Sequence, residues 1–146
     1  CFPKDSQAFI KIAEKYGYDY KLLKATNEIN EEQKKYFVEK IKKSLKNVGG
    51  KTIGVLGLAF KPDTDDLRFA PSVYIIKELQ KMGAKIRAYD PEAMEKSKSL
   101  LDNIEFCSDP YDVSKDANAL LILTEWNEFK EMNLKKIKSN TNIKKT

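Results

Sequence analysis

A thiol, an ammonium and a carboxylate fall within the first five residues, Cys1-Phe2-Pro3-Lys4-Asp5. A helix start and a nearby lysine both favour a thiolate, the form of cysteine that attacks carbonyl carbon. Three chemistries fit. Cys1 can be a nucleophile with Asp5 as its carboxylate partner. It can be a structural cysteine beside a helix cap. It can also act through a free α-amine, as in hydrolases with an amino-terminal nucleophile. The second stretch is Gly57-Leu58-Ala59-Phe60-Lys61-Pro62-Asp63-Thr64-Asp65-Asp66-Leu67-Arg68. Two cations and three carboxylates lie between Lys61 and Arg68, directly after a strand-like run. Open α/β sheets bind ligands at the carboxyl ends of their strands, where such a loop would sit. Lysine offers an anionic ligand a point charge, and arginine offers a planar fork suited to a diphosphate. Ion pairs of either cation with Asp63, Asp65 or Asp66 are the competing reading.

Other chemistries drop out. The chain contains no histidine, which excludes histidine-ligated zinc, Cys-His dyads and Ser-His-Asp triads built within it. Two cysteines, Cys1 and Cys107, without a CxxC pair give no disulfide framework and point to a reducing, cytoplasmic setting. Cys107 follows an alternating apolar run and reads as a small buried hydrophobe. The acidic loop could hold a divalent cation, but Asp65 and Asp66 read better as loop-forming and arginine-orienting, with no metal. The net charge of +5 is spread over lysine-rich helix faces, without the focused stripe and stacking aromatics of a nucleic-acid surface. No apolar run is long enough to cross a bilayer, and no basic-then-apolar leader begins the sequence. Gly54 and Gly57 do not complete a GxGxxG, which argues against a dinucleotide turn at this strand. Asp90-Pro91 reads as a strand-end turn.

These residues need elements to position them. Asp5 or Ser6 caps a helix over about 7–16, with Ala8, Ile12 and Ala13 on one face and Gly17 as its stop. Leu22, Leu23, Ile29, Phe37, Val38, Ile41 and Leu45 predict a long helix over about 20–46, ended by Gly49-Gly50. At roughly 40 Å it is long enough to bridge two domains or to pack on a second subunit. Residues 52–60 form a near-continuous apolar run, the mark of a strand buried on both faces. Ser72 caps a helix to about 82. Strands follow over 84–89, 104–107 and 119–124, with helices over 111–117, 126–132 and 134–137 and a frayed polar tail from 139. The expected fold is α/β. A helical segment with a long bridging helix (1–48) precedes a truncated, doubly wound parallel sheet of Rossmann type (49–146).

The motifs also carry a resemblance. Cys1-Phe2-Pro3-Lys4-Asp5 resembles the nucleophile motif of the UDP-glucose 6-dehydrogenase family, within the wider UDP-glucose/GDP-mannose dehydrogenases. The loop from Gly57 to Arg68, followed by Ala70-Pro71-Ser72, resembles the sugar-nucleotide domain of the same family. Tyr89-Asp90-Pro91 and Thr124-Glu125-Trp126 match in the same order, so the likeness runs to about Ile137.

The resemblance implies a two-step, NAD-dependent oxidation of a sugar C6 alcohol to the acid. Cys1 would attack the intermediate aldehyde to give a thiohemiacetal, whose oxidation leaves a thioester. Asp5 would orient the water or base that hydrolyses it. Phe60 and Lys61 would contact the sugar nucleotide. Arg68 would lie near the NAD diphosphate, and Lys4 would support the cofactor side. A homodimer or larger assembly through the long helix, a UDP-sugar substrate and no metal are implied as well.

Phe69 stands where the family usually has glutamate. The amino-terminal NAD domain and the distal arginine loop have no counterpart in the sequence. The chain alone is therefore expected to be inactive. GDP-mannose or UDP-N-acetylmannosamine is the alternative substrate. A non-catalytic module, dimerising through the long helix, is the reading from another class.

Overall fold

The computed structural model describes residues 2–142. Helix α1 spans Phe2–Lys15 and α2 spans Lys21–Leu45. Asp5 and Ser6 therefore lie inside the first helix rather than at its cap. Proline is well suited to a first helical turn, where its missing N–H is no loss, and Pro3 lets the helix begin earlier than expected. Ser6 has a different task. Its Oγ lies 3.0 Å from the Pro3 carbonyl and 2.7 Å from Asn27 Oδ1, tying α1 to α2.

Helix α2 carries two apolar stripes. Val38 and Ile41 are buried and face the sheet domain. Leu22, Ile29 and Tyr36, each seven residues from the next, are all more than half exposed. The helix stops at Leu45, ahead of Gly49-Gly50, because Lys46 adopts a left-handed backbone with φ of 59°.

The sheet has four parallel strands: β1 (Thr52–Leu56), β2 (Lys85–Tyr89), β3 (Ile104–Phe106) and β4 (Ala119–Ile122), in the order β3-β2-β1-β4. This is the doubly wound arrangement expected from the sequence. Strand β1 is central. It pairs from Thr52↔Lys85 to Leu56↔Tyr89 on one side and from Ile53↔Ala119 to Leu56↔Ile122 on the other. Ile53, Val55 and Leu56 are wholly buried, which is why β1 reads as continuous rather than alternating. It ends four residues earlier than the apolar run. Gly57 turns the chain at φ of 88°, and the next two amides leave the ladder for the Asp90 carboxylate.

Helix α3 (Pro71–Lys81) returns the chain from β1 to β2 and packs against α2. Pro71 occupies its first turn, so Ser72 does not cap it. The Ser72 hydroxyl is buried and donates to the Leu58 carbonyl, anchoring the loop after β1. A short helix α4 (Met94–Ser97) lies between β2 and β3. The helix expected over 111–117 shrinks to a 3₁₀ turn at Asp112–Ser114. Asp109 Oδ1 accepts from the amides of Tyr111 and Asp112, and Asp116 turns left-handed at φ of 56°. Helix α5 covers only Asn127–Lys130. Helix α6 extends over Leu134–Asn140, capped by Asn133, whose side chain accepts from the amides of Lys135 and Lys136. The tail is tied down as far as Asn142, which donates to the Ala117 carbonyl at 2.9 Å. Cys107 is buried, and burial pushes its thiol pKa up despite the neighbouring Arg87 guanidinium at 3.6 Å.

Candidate functional site

Strand order reverses between β1 and β4. The carboxyl ends of these two strands are therefore the topological switch point, where doubly wound sheets form their ligand crevice. A cleft of about 290 Å³ opens there, lined by Phe60, Lys61, Pro62, Ile122, Leu123, Thr124 and Glu125. The β1 wall is fixed by Gly57 N–H donating to the Tyr89 carbonyl at 2.9 Å. The β4 wall is fixed by Leu123 N–H donating to the Leu56 carbonyl at 2.8 Å and by the Thr124 hydroxyl donating to the Ala59 carbonyl. Lys61 Nζ sits 5.4 Å from the centre of the Phe60 ring. Among the described residues Lys61 forms no ion pair, so the competing reading as a surface salt bridge does not hold for it.

Phe60 also lines a second cleft, of about 240 Å³, with Pro3, Lys4, Asp5, Asn30, Asp66, Arg68, Phe69 and Pro71. Here the first turn of α1 meets the loop after β1. The two stretches singled out from the sequence converge, with Phe60 shared between their clefts. Cys1 lies outside the described residues, and Pro3, Lys4 and Asp5 are the members of that motif that line the cleft. Asn30, on α2, gave no sequence signal beyond its polar helix face.

The loop orients its own arginine. Arg68 donates from Nε to both Asp66 oxygens, at 3.0 and 3.1 Å, and from Nη2 to Oδ2 at 2.6 Å. Its amide also donates to Asp66 Oδ1. Phe60 N–H donates to the Asp66 carbonyl at 3.0 Å, and Asp65 pairs with Lys96 at 2.5 Å. Among the described residues no cluster of three histidine, cysteine or carboxylate side chains forms a cation site. The Arg68 side-chain bond, then its amide bond, hold the Asp66 carboxyl well below its ordinary value of 3.8. Any stability from this group is present above the unfolded value and is withdrawn only as pH falls through the lower, folded one. We predict that the Asp66 carboxyl carbon, followed by NMR, shows no titration between pH 6 and pH 4. A midpoint in the ordinary aspartate range would show that the pair does not form.

Asp90 does more than make the turn read from the sequence. It is wholly buried. Oδ1 accepts from the amides of Glu92 at 3.0 Å and Ala93 at 2.8 Å, which is the expected turn. Oδ2 accepts from Leu58 N–H at 2.6 Å, Ala59 N–H at 3.0 Å and Trp126 Nε1 at 3.2 Å. One carboxylate thus holds the approach to Phe60-Lys61 and the residue after Glu125, one from each wall of the switch-point cleft.

Comparison with known proteins identifies the family and agrees with the fold. Residues 54–146 match the UDP-glucose/GDP-mannose dehydrogenase family, UDP binding domain. The chain belongs to this family. The UDP-glucose 6-dehydrogenase TuaD of Bacillus subtilis (strain 168) is 46% identical over 140 residues, 95% of this chain and 30% of its own. The solved UDP-glucose dehydrogenase of the hyperthermophilic archaeon Pyrobaculum islandicum superposes with a TM-score of 0.86 at 33% identity. That match covers 98% of this chain and 36% of the archaeal enzyme. The UDP-D-ManNAc dehydrogenase of Pyrococcus horikoshii matches with a TM-score of 0.81 at 26% identity, over 99% of this chain and 32% of that one. The chain thus spans about a third of the length of these dehydrogenases. Both clefts involve the family's UDP-binding domain, through the 60–71 loop and the end of β4. Among the described residues no helix is long and apolar enough to cross a membrane.

Proposed function

We propose that these residues serve an NAD-dependent nucleotide-sugar dehydrogenase that oxidises the C6 alcohol of UDP-glucose to UDP-glucuronate. The observation that carries this reading is the convergence of Lys4 and Asp5 with Phe60 and Arg68 in one cleft, beside a second cleft holding Lys61. Residues 1–48 would close the catalytic side, and residues 49–146 would hold the sugar nucleotide.

The roles are those the family resemblance implies, and the chemistry of each residue supports them. The Cys1 sulfur attacks the C6 aldehyde, forming a thiohemiacetal and, after oxidation, a thioester. Asp5 orients the water that cleaves the thioester. Lys61, without an ion-pair partner among the described residues, supplies a point charge to the substrate phosphates or hydroxyls, and Phe60 packs beside it. Arg68 is three-quarters exposed and pre-oriented by Asp66, which suits a diphosphate. Lys4 adds positive charge on the same side. NAD fits this cleft only in part, because about 240 Å³ beside Lys4 and Arg68 cannot enclose a whole dinucleotide. NAD supplies the hydride acceptor, and most of its site would come from outside these residues. The chain alone would then release no NADH. The exposed stripe of Leu22, Ile29 and Tyr36 suits self-association.

The test is NADH release by the full-length protein that carries these residues. We expect two NADH per UDP-glucose consumed. We also expect Lys61→Ala to raise the KM for UDP-glucose by about ten- to a hundred-fold, with the KM for NAD little changed. The structural match to a UDP-D-ManNAc dehydrogenase favours one second reading, in which UDP-N-acetylmannosamine or GDP-mannose is the substrate. Activity on either, without activity on UDP-glucose, would establish it. No activity on any of the three leaves the non-catalytic module.

A further inference from the structure

Phe69 is held in a conformation that its side chain does not favour. The Ala70 amide donates to the Leu67 carbonyl at 3.1 Å, closing a four-residue turn with Phe69 in third place. Its φ is 61°. This is the turn position where glycine or asparagine is preferred, and a bulky residue there is an outlier. Burial does not compensate, because Phe69 is 54% exposed. The ring instead lines the cleft next to Arg68, with Pro71, Phe60 and Pro3 adding apolar wall and Asp5 and Asn30 adding hydrogen-bonding groups. Arg68 commits Nε and one Nη to Asp66, leaving the other Nη without a hydrogen bond among the described residues. A flat apolar surface thus stands beside an oriented, exposed cation in a cleft of about 240 Å³. That volume is below the range for a whole drug-sized ligand and suits one ring with its sugar.

We propose that Phe69 is a stacking platform for one heteroaromatic ring of a pyridine dinucleotide whose diphosphate rests on Arg68. Either end of the dinucleotide has the required chemistry, a planar ring linked through ribose to phosphate. Aromatic stacking tolerates different rings because each presents a π face. The proposal deepens the dehydrogenase reading and rests on it for the identity of the ligand.

The test is NADH binding to the full-length protein, followed by fluorescence without turnover, with ADP-ribose and reduced nicotinamide mononucleotide as separate probes. Phe69→Ala and Phe69→Gly are expected to weaken NADH about ten-fold, and Phe69→Tyr to stay within about two-fold of the parent. UDP-glucose affinity should not change. Glycine adopts positive φ freely, so Phe69→Gly should keep or raise the thermal midpoint while losing affinity. A purely structural ring would show the reverse. The probe whose binding falls identifies the stacked ring. Unchanged NADH binding in Phe69→Ala, no effect on either probe, or no NADH binding by the parent overturns the proposal. Turnover of UDP-glucose with Phe69-independent NADH binding removes the platform alone. Phe69-dependent NADH binding without turnover of any nucleotide sugar removes the dehydrogenase reading alone.

Discussion

Replacing Asp90 by alanine should destabilise the fold by about 3–5 kcal/mol, a large part of the stability of an ordinary domain. The carboxylate satisfies five N–H donors, four from the backbone and one from an indole. Each buried donor left without a partner costs about 1–3 kcal/mol. Water entering the vacated space would recover part of that loss, which keeps the estimate below the simple sum. Asp90→Asn is the sharper variant. Its amide has one accepting oxygen, and three donors converge on Oδ2 against two on Oδ1. The oxygen should stay with Leu58, Ala59 and Trp126, setting the NH₂ group against the amides of Glu92 and Ala93. Urea denaturation should therefore place Asp90→Asn between the parent and Asp90→Ala. Amide exchange at Leu58 and Ala59 should stay slower in Asp90→Asn than in Asp90→Ala. An Asp90→Asn protein within about 0.5 kcal/mol of the parent would show that the five contacts contribute little.

The second large effect is expected at Gly57. Its φ of 88° is unfavourable for any L side chain, and the space beside it is filled. A Cβ there would lie 2.5 Å from Thr124 Cβ and 2.6 Å from the Thr124 backbone nitrogen. Backbone cannot swing aside as a flexible side chain can, so Gly57→Ala must push β4 away from β1 at the mouth of the switch-point cleft. We expect a loss of about 2–4 kcal/mol, with weaker sugar-nucleotide binding in the full-length protein. Gly50→Ala is the control. Its φ of 74° is similar, but nothing lies within 4 Å of the added carbon. It should lose only the conformational part, about 1 kcal/mol. Equal losses in urea denaturation would mean that the contact with Thr124 is not tight.

The sequence disclosed the sheet better than the site. A strand buried on both faces leaves an unbroken apolar run, and Ile53 to Leu56 supply one. Parallel pairing then follows from the intervening helix, because a crossover is the connection such strands require. The charged loop after β1 was legible for the same reason, since polar residues clustered directly after a buried strand stand out. Asp90 was half legible. Asp-Pro after a strand announces the turn made by Oδ1, but Leu58, Ala59 and Trp126 lie 31 to 36 residues away in sequence. No local pattern reports where the other oxygen points. Ser72 was misread because a serine at a helix start looks like a cap whether its hydroxyl serves its own helix or a neighbouring loop. Asp5 and Ser6 were misread as caps because a polar residue suits the cap and the first turn equally. The two faces of α2 were merged because Leu22 and Val38 are equally apolar, and only the position of α3 separates them.

Helix α2 also acts as a lever arm. Its carboxyl half, where Val38 and Ile41 are buried, packs on the sheet domain, and its amino half holds α1 through the contact between Ser6 and Asn27. About 17 Å of helix separates Val38 from Asn27. A tilt of about 5° around the docked turns would carry the α1 attachment by roughly 1.5 Å. Lys4 and Asp5 ride on that end, while Arg68 and Phe69 stay with the sheet. The width of the cleft between them is therefore geared to a rotation whose pivot lies well away from it. Substitutions at the pivot, such as Val38→Ala, would reach the chemistry by changing an angle, with no residue of the cleft itself replaced.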